Sequence, residues 1–346
     1  MLHICLNDSW AGLMYKDLEN CKLCAWECGV DRLADELGVC QIGIPEVASC
    51  QLHPAPPASY TVFTAGCNFK CLNCQNWGIA HYPSNSRGVE GVMAPDIIAE
   101  IGVTAIRSPE GQAIEADRFF FSGGSPTVSL PWIEAVVSHA KTLNPEIKVN
   151  FDTNGFPSKL SFQRILSFSD SITFDIKAYN DEVHRMLTGA PVEPVLRNVE
   201  EMAKHPDRLW EFRVLVIPEI VDMPEVQAIA EFLVSLDKTL PVCFLAFRPN
   251  FCLEQHPGAS LKLMRDVVER AQLIGLKNVS WAGFTDTPGS ISSLPTEFQR
   301  HFAHKSAALA AFYAQKAGCK QTHRNCGECD HKASCILKSY KPSRNT

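Results

Sequence analysis

Three cysteines, Cys67, Cys71 and Cys74, stand in "GCNFKCLNC" with C-x3-C-x2-C spacing. Three thiolates are one too few to close a tetrahedral zinc site. They can bind three irons of a 4Fe–4S cluster and leave the remaining iron open to a substrate. The plainer alternatives are a structural metal that borrows a distant cysteine, or buried thiols with no ligand. Position favours the open cluster. The array follows directly on the strand-like run "SYTVFTA", and in a parallel α/β barrel the loops at the C-terminal ends of the strands carry the chemistry.

Such a loop needs further strand ends beside it. Runs rich in β-branched and aromatic residues, "RFFFSG", "KVNFDTN", "SITFDI", "EFRVLVI" and "VCFLAF", alternate with amphipathic runs such as "PDIIAEIGVTAIRS", "WIEAVVSHAKTL", "KLSFQRILSF", "LRNVEEMAKH" and "PEVQAIAEFLVSL". A later run, "LKLMRDVVERAQLIGL", precedes an extra strand candidate, "VSWAGF". Strands apolar on both faces that alternate with helices predict a parallel sheet. Six or more such units predict an α/β fold, a partial or complete TIM-type (β/α) barrel. The predicted strand ends carry Gly123, Gly124 and Ser125, then Asp152 and Asn154, then Asp175 and Lys177, then Arg213. Taken singly these are turn, cap or surface residues; in register with the cysteine loop they form a set.

Two more cysteine groups flank this region. Cys21, Cys24, Cys28 and Cys40 form C-x2-C-x3-C-x11-C, and Cys319, Cys326, Cys329 and Cys335 surround a second central C-x2-C. Each can close around one zinc or iron ion. His323 and His331 are alternative ligands in the second group, with exposed loop histidines as the simpler reading. The organisation expected is an N-terminal cysteine-rich extension over residues 1–57, a barrel over 58–285 and a C-terminal cysteine loop over 286–346. The stretch "GCKQTHRNCGECDHKASC" is expected to have little apolar surface of its own, so that metal would staple it. Cys5, Cys50, Cys243 and Cys252 have no assigned role beyond buried thiols.

The chain has 346 residues, 15 of them cysteine, and a net charge of -6. The charge gives no footprint for nucleic acid, and no stretch approaches the length of a membrane span. The first twenty residues lack the basic and apolar segments of a signal peptide. Many clustered cysteines without export imply reduced thiols in the cytoplasm, where metal binding or catalysis outranks disulfides.

The stretch "GCNFKCLNCQNW" resembles the signature of the radical S-adenosylmethionine (SAM) superfamily, close to its pyruvate formate-lyase-activating branch. The resemblance implies a 4Fe–4S cluster on Cys67, Cys71 and Cys74. Its open iron would be chelated by the amino and carboxylate groups of SAM, with Phe69 near the adenine. "SGGSP" resembles the family's Gly-Gly-Glu-Pro motif, with Ser125 in place of Glu, so that backbone carbonyls would receive the SAM amino group. Asp152 and Asn154 would reach the ribose. Asp175 and Lys177 match an Asp-x-Lys beside SAM, where Lys177 would meet a carboxylate, and Arg213 occupies a similar place. The N-terminal cysteines resemble the array of activating-enzyme homologues, with Ala25 where those have Pro. The C-terminal cysteine loop and "LAFRPNF" are similar to cobalamin-dependent methylases that modify methyl-coenzyme M reductase in methanogens, although no Asp-x-His-x-x-Gly motif occurs. The resemblance thus implies a radical enzyme acting on a protein or peptide, with reduced ferredoxin or flavodoxin as electron donor. One version is cobalamin-dependent C-methylation of an sp3 carbon; the other is a glycyl-radical activase without cobalamin.

Overall fold

The computed structural model describes residues 15–81, 89–285, 287, 289 and 294–343. Eight strands form one sheet in sequential order: β1 (Val47–His53), β2 (Ser59–Thr64), β3 (Arg118–Gly123), β4 (Lys148–Thr153), β5 (Ser171–Asp175), β6 (Leu209–Val216), β7 (Pro241–Ala246) and β8 (Asn278–Ala282). β2 pairs parallel with β3 and β3 with β4, and β6 pairs parallel with β7 and β7 with β8. The order is that of a (β/α) barrel rather than a doubly wound sheet, in which the order reverses. The fold is therefore α/β of the partial TIM type.

The chain divides into two compact units, with the boundary inside β5. The first holds the described residues up to Asn68 together with Gly78–Ile172. Its helices are α1 (Pro95–Arg107), α2 (Leu130–Leu143) and α3 (Lys159–Phe168). α1 and α2 both begin with proline in the first turn, where no backbone donor is lost. Ser158 caps α3 by accepting from the Ser161 amide. Val62 of β2, Phe121 of β3, and Val149 and Phe151 of β4 are fully buried, as are Ile98 and Ile133 on the helices. Gly102 lets α1 close on this layer: a Cβ there would sit 2.2 Å from the Phe119 ring and 2.9 Å from that of Tyr60.

β1 is absent from the sequence reading, which left residues 47–53 in the N-terminal extension. It pairs antiparallel with β2, setting Cys50 opposite Val62. In sequence Ala48, Cys50 and Leu52 alternate with Ser49, Gln51 and His53, a two-residue period made faint by small side chains, and in the fold its burial is graded rather than alternating.

The second unit holds Phe69–Trp77 and the described residues from Thr173 onward. Its main helices are α4 (Asp181–Thr188), α5 (Glu193–Met202), α6 (Met223–Leu236), α7 (Leu261–Ile274) and α8 (Lys305–Lys316). Helix α8 precedes the cysteine stretch of the tail and has no counterpart in the sequence reading. In α8, "KSAALAAFYAQK", Ala307, Ala308, Leu309, Ala310, Tyr313 and Ala314 are all buried. Small side chains hid this surface, because alanine gives little contrast to an amphipathic pattern. The Tyr313 hydroxyl lies 2.9 Å from His256 Nδ1, while His256 Nε2 meets the Pro218 carbonyl at 2.7 Å.

Gly102→Ala is expected to destabilise the protein by about 1–3 kcal/mol, because the Phe119 ring must leave its position to admit a methyl group. Chemical denaturation checks this; unchanged stability would show that the α1 face has slack.

Candidate active site

In the first unit, the chain leaves β2 and is pinned at once. The Gly66 amide donates to the Ile79 carbonyl, the Gly124 amide to that of Thr64, and the Ser125 amide to that of Gly66, each at 2.9 Å. Here the two glycines after β3 have a structural reason. A Cβ on Gly124 would lie 2.0 Å from the Gly66 carbonyl oxygen, and Gly123, at φ +124°, would meet that of Thr64 at 2.3 Å. Cys67 is buried and Asn68 wholly so. The Asn68 side-chain oxygen accepts from the Asn154 amide at 2.7 Å, and its backbone carbonyl accepts from the Trp26 indole at 2.8 Å. Asn154 is thus brought to the cysteine loop, and Asp152 accepts from the Ser122 hydroxyl at 2.7 Å. The Ser125 hydroxyl is buried with no hydrogen-bond partner among the described residues, as are those of Thr127 and Ser129. Orphaned hydroxyls beyond β3 are costly unless a ligand meets them, so this strand end fits a bound polar group such as the SAM amine.

In the second unit, the rest of the loop, Phe69–Trp77, rests on the C-terminal end of α4. The Lys70 amide donates to the Thr188 carbonyl at 2.8 Å and the Leu72 amide to that of Leu187 at 3.0 Å. The Leu72 carbonyl in turn accepts from the Cys252 amide at 3.1 Å, and Trp77 stacks on Phe251 with centroids 5.8 Å apart. Phe69 is buried edge-on against His184, at 5.5 Å. Cys71 and Cys74 are half-buried. Lys177 forms an ion pair with its strand-end neighbour Asp175 at 2.7 Å. Arg213 pairs likewise with Glu211 at 2.6 Å, and its carbonyl accepts from the Ile176 amide.

The four N-terminal cysteines lie in one region of the first unit. Cys21, Cys24, Cys28 and Cys40 line one cavity of ≈ 10 Å³ together with Arg32 and Val128. Burial pushes the Cys24 thiol well up, and Cys40, Cys28 and Cys21 add to the effect. Arg32 is buried and pairs with no carboxylate among the described residues. It donates to the carbonyls of Ile42, Gly43 and Val128, and its Nη1 lies 3.7 Å from Cys21 Sγ. At the C-terminus, burial raises the Cys326 thiol, with Cys335 and Cys319 among its neighbours. Cys252, unassigned in the sequence, also has Cys335 as a neighbour. His323 packs against Phe302. Among the described residues, no group of three or more His, Cys, Asp or Glu is drawn together closely enough to hold an ion as it stands. Cys5 lies outside the described residues.

Sequence reasoning missed three residues that hold the loop: Asn68, His184 and Arg324. Asn68 sits inside the cysteine motif and invited attention; the other two lie far off in sequence with no local signal.

A partial (β/α) barrel with a three-cysteine loop after its first parallel strand defines an iron–sulfur enzyme class. The sequence profile of the Radical SAM superfamily matches residues 61–233, half of the chain, and the chain belongs to that superfamily. It is 24% identical over 268 residues to an uncharacterized protein of Methanocaldococcus jannaschii, 73% of each chain being covered. It is 27% identical over 193 residues to the pyruvate formate-lyase-activating enzyme of Staphylococcus aureus, covering 53% of this chain and 71% of that one. Among solved structures, a domain of pyruvate-formate lyase-activating enzyme from Bacteroides vulgatus aligns with TM-score 0.39 and 20% identity, over 47% of this chain and 98% of that one. Streptococcus suis SuiB bound to precursor peptide SuiA aligns with TM-score 0.46 and 15% identity, over 81% and 66%. Among the described residues no helix is long and apolar enough to cross a membrane.

His184 gives a pH test of the loop's surroundings. Burial pushes its imidazole from the usual 6.5 down to about 4. Nδ1 lies 2.7 Å from the Ala190 carbonyl and so carries the proton, while the buried Nε2 has no partner. Above pH 6.5 both folded and unfolded states are neutral. As pH falls from 6.5 to 4 the unfolded chain takes up a proton that the folded one refuses, so stability falls by up to about 3 kcal/mol. Urea denaturation midpoints across this window are expected to drop less steeply in His184→Gln than in the wild type; equal slopes would place the titration elsewhere.

Proposed function

We propose that this enzyme cleaves SAM at a 4Fe–4S cluster held by Cys67, Cys71 and Cys74, and that the resulting radical removes a hydrogen atom from a side chain of a protein or peptide. The observation that carries this reading is a three-cysteine loop, within the superfamily match, that is anchored on both sides by hydrogen bonds. When bound, the cluster supplies the electron that splits the sulfonium into methionine and a 5'-deoxyadenosyl radical.

The chain's own groups bind and orient. The orphaned Ser125 hydroxyl and the Gly123 and Gly124 backbone would receive the SAM amine. Asp152 and Asn154 would meet the ribose, and Phe69 would wall the adenine. The Asp175–Lys177 pair would give up one partner to a carboxylate of SAM or of the substrate, and Arg213 would act beside it. The electron would come from reduced ferredoxin or flavodoxin. A zinc or iron ion would fill the N-terminal quartet of Cys21, Cys24, Cys28 and Cys40. There Arg32 supplies a positive charge suited to four thiolates, whose sum exceeds that of a dication. Cys319, Cys326, Cys329 and Cys335 would hold a second ion in the tail.

Two outcomes of hydrogen removal are open to such an enzyme. Likeness to the staphylococcal activating enzyme favours a glycyl radical left on a partner protein. The second reading, cobalamin-dependent C-methylation of an sp3 carbon, with a glutamine or other residue of methyl-coenzyme M reductase as candidate target, draws on the cysteine tail. Arg324 of that tail touches the cluster loop directly.

The test is anaerobic reconstitution with SAM, a strong reductant and added cobalamin. Wild-type protein is expected to form 5'-deoxyadenosine, and Cys71→Ala to form none; a variant that still makes it would sink the radical assignment. Stoichiometric cobalamin with S-adenosylhomocysteine formed alongside deoxyadenosine selects methylation. Deoxyadenosine alone, with no cobalamin bound, selects the activase.

A further inference from the structure

Arg324 is the least expected charge in the protein. It sits two residues before Cys326 and is 1% exposed. A guanidinium does not lose its proton in a protein, so it is buried as a cation. No carboxylate pairs with it among the described residues. Nη1 donates to the Met186 carbonyl and Nη2 to the Lys70 carbonyl, both at 2.6 Å, and Nε has no partner. Isolating a charge in this way costs several kcal/mol unless nearby groups of opposite polarity offset it. The C-terminal end of α4, where carbonyls point outward, supplies part of that offset. The thiols of Cys326 and Cys252 lie in its field.

The second acceptor matters most, because Lys70 immediately precedes Cys71. Arg324 thus joins three things: the cysteine tail, the end of α4 and the carbonyl next to a cluster-loop cysteine. The Cys326 amide reinforces the joint by donating to the Gly189 carbonyl at 2.8 Å. Gly189 must lack a side chain there, since its φ is +85° and a Cβ would lie 2.3 Å from Cys326 Sγ.

We propose that Arg324 is a positioning residue that latches the C-terminal tail onto the cluster loop, and that its buried charge raises the reduction potential of the cluster the loop holds. The first part concerns the polypeptide alone; the second rests on the reading of Cys67, Cys71 and Cys74 as cluster ligands. A fixed cation beside the loop favours the more negative, reduced state, and net charge and hydrogen bonding around a cluster are established determinants of its potential.

The test uses the full chain with Arg324→Gln and Arg324→Lys. In cluster-free protein, amide hydrogen exchange at Lys70 and Leu72 is expected to speed at least tenfold in Arg324→Gln, with amides of α2 unchanged. In cluster-loaded protein, the midpoint from a spectroscopically monitored redox titration is expected to move negative by at least 59 mV, a tenfold change for one electron. Arg324→Lys keeps the charge but cannot bridge two carbonyls as a planar fork does. It is expected to restore the potential and leave exchange at Lys70 fast. Unchanged exchange at Lys70 and Leu72 in Arg324→Gln, or equal acceleration in α2, overturns the latch. An unchanged potential with a loosened loop overturns the electrostatic part. Failure to load any cluster in the wild type counts against the cluster ligands, while the exchange result still decides the latch.

Discussion

The last carbonyls of an α-helix have no partner inside the helix, and at the end of α4 four in succession are claimed by two other segments. Met186 accepts from Arg324, Leu187 from the Leu72 amide, Thr188 from the Lys70 amide and Gly189 from the Cys326 amide. Two of the donors are cluster-loop amides and two belong to the cysteine tail. Asn180 caps the other end of the same helix, accepting from the Glu182 and Val183 amides. An eight-residue helix that is marginal alone is fixed at both ends and in turn fixes the loop that carries Cys71 and Cys74. The left-handed Gly189 is what turns the chain so that the final carbonyls face outward together.

The beginning of the cysteine loop is held by a different set of groups with the same logic. Trp26, between Cys24 and Cys28, donates to the Asn68 carbonyl, and Asn154 donates to the Asn68 side chain. Each peripheral cysteine group therefore sends one side chain to a carbonyl of the cluster loop, Trp26 from the first and Arg324 from the second. Each also has a buried guanidinium, Arg32 or Arg324, that pairs with no carboxylate among the described residues.

Much of this architecture was legible in the residues. "RFFFSG" and "KLSFQRILSF" match β3 and α3 to the residue, because both are bounded by clear turn or cap chemistry. β1 escaped notice although Ala48, Cys50 and Leu52 alternate with polar neighbours, and α4, "DEVHRMLT", because its single i, i+3, i+4 triplet of Val183, Met186 and Leu187 is short. The glycines after β3 were readable as glycines that something needed. What needs them is partly the protein's own backbone at Thr64 and Gly66, a contact between segments far apart in sequence that spacing does not encode. The roles of His184 and Arg324 were hidden for the same reason, since both depend on which carbonyls and rings the fold delivers to them.

Central to the proposed function is that such a loop would present an iron lacking a protein ligand, which would accept SAM instead. Hyperfine spectroscopy of the reduced, cluster-loaded protein with SAM isotopically labelled at its amino nitrogen and carboxylate oxygen addresses this most directly. The account predicts magnetic coupling of both labels to the cluster. Tight binding of SAM with neither label coupled would contradict it.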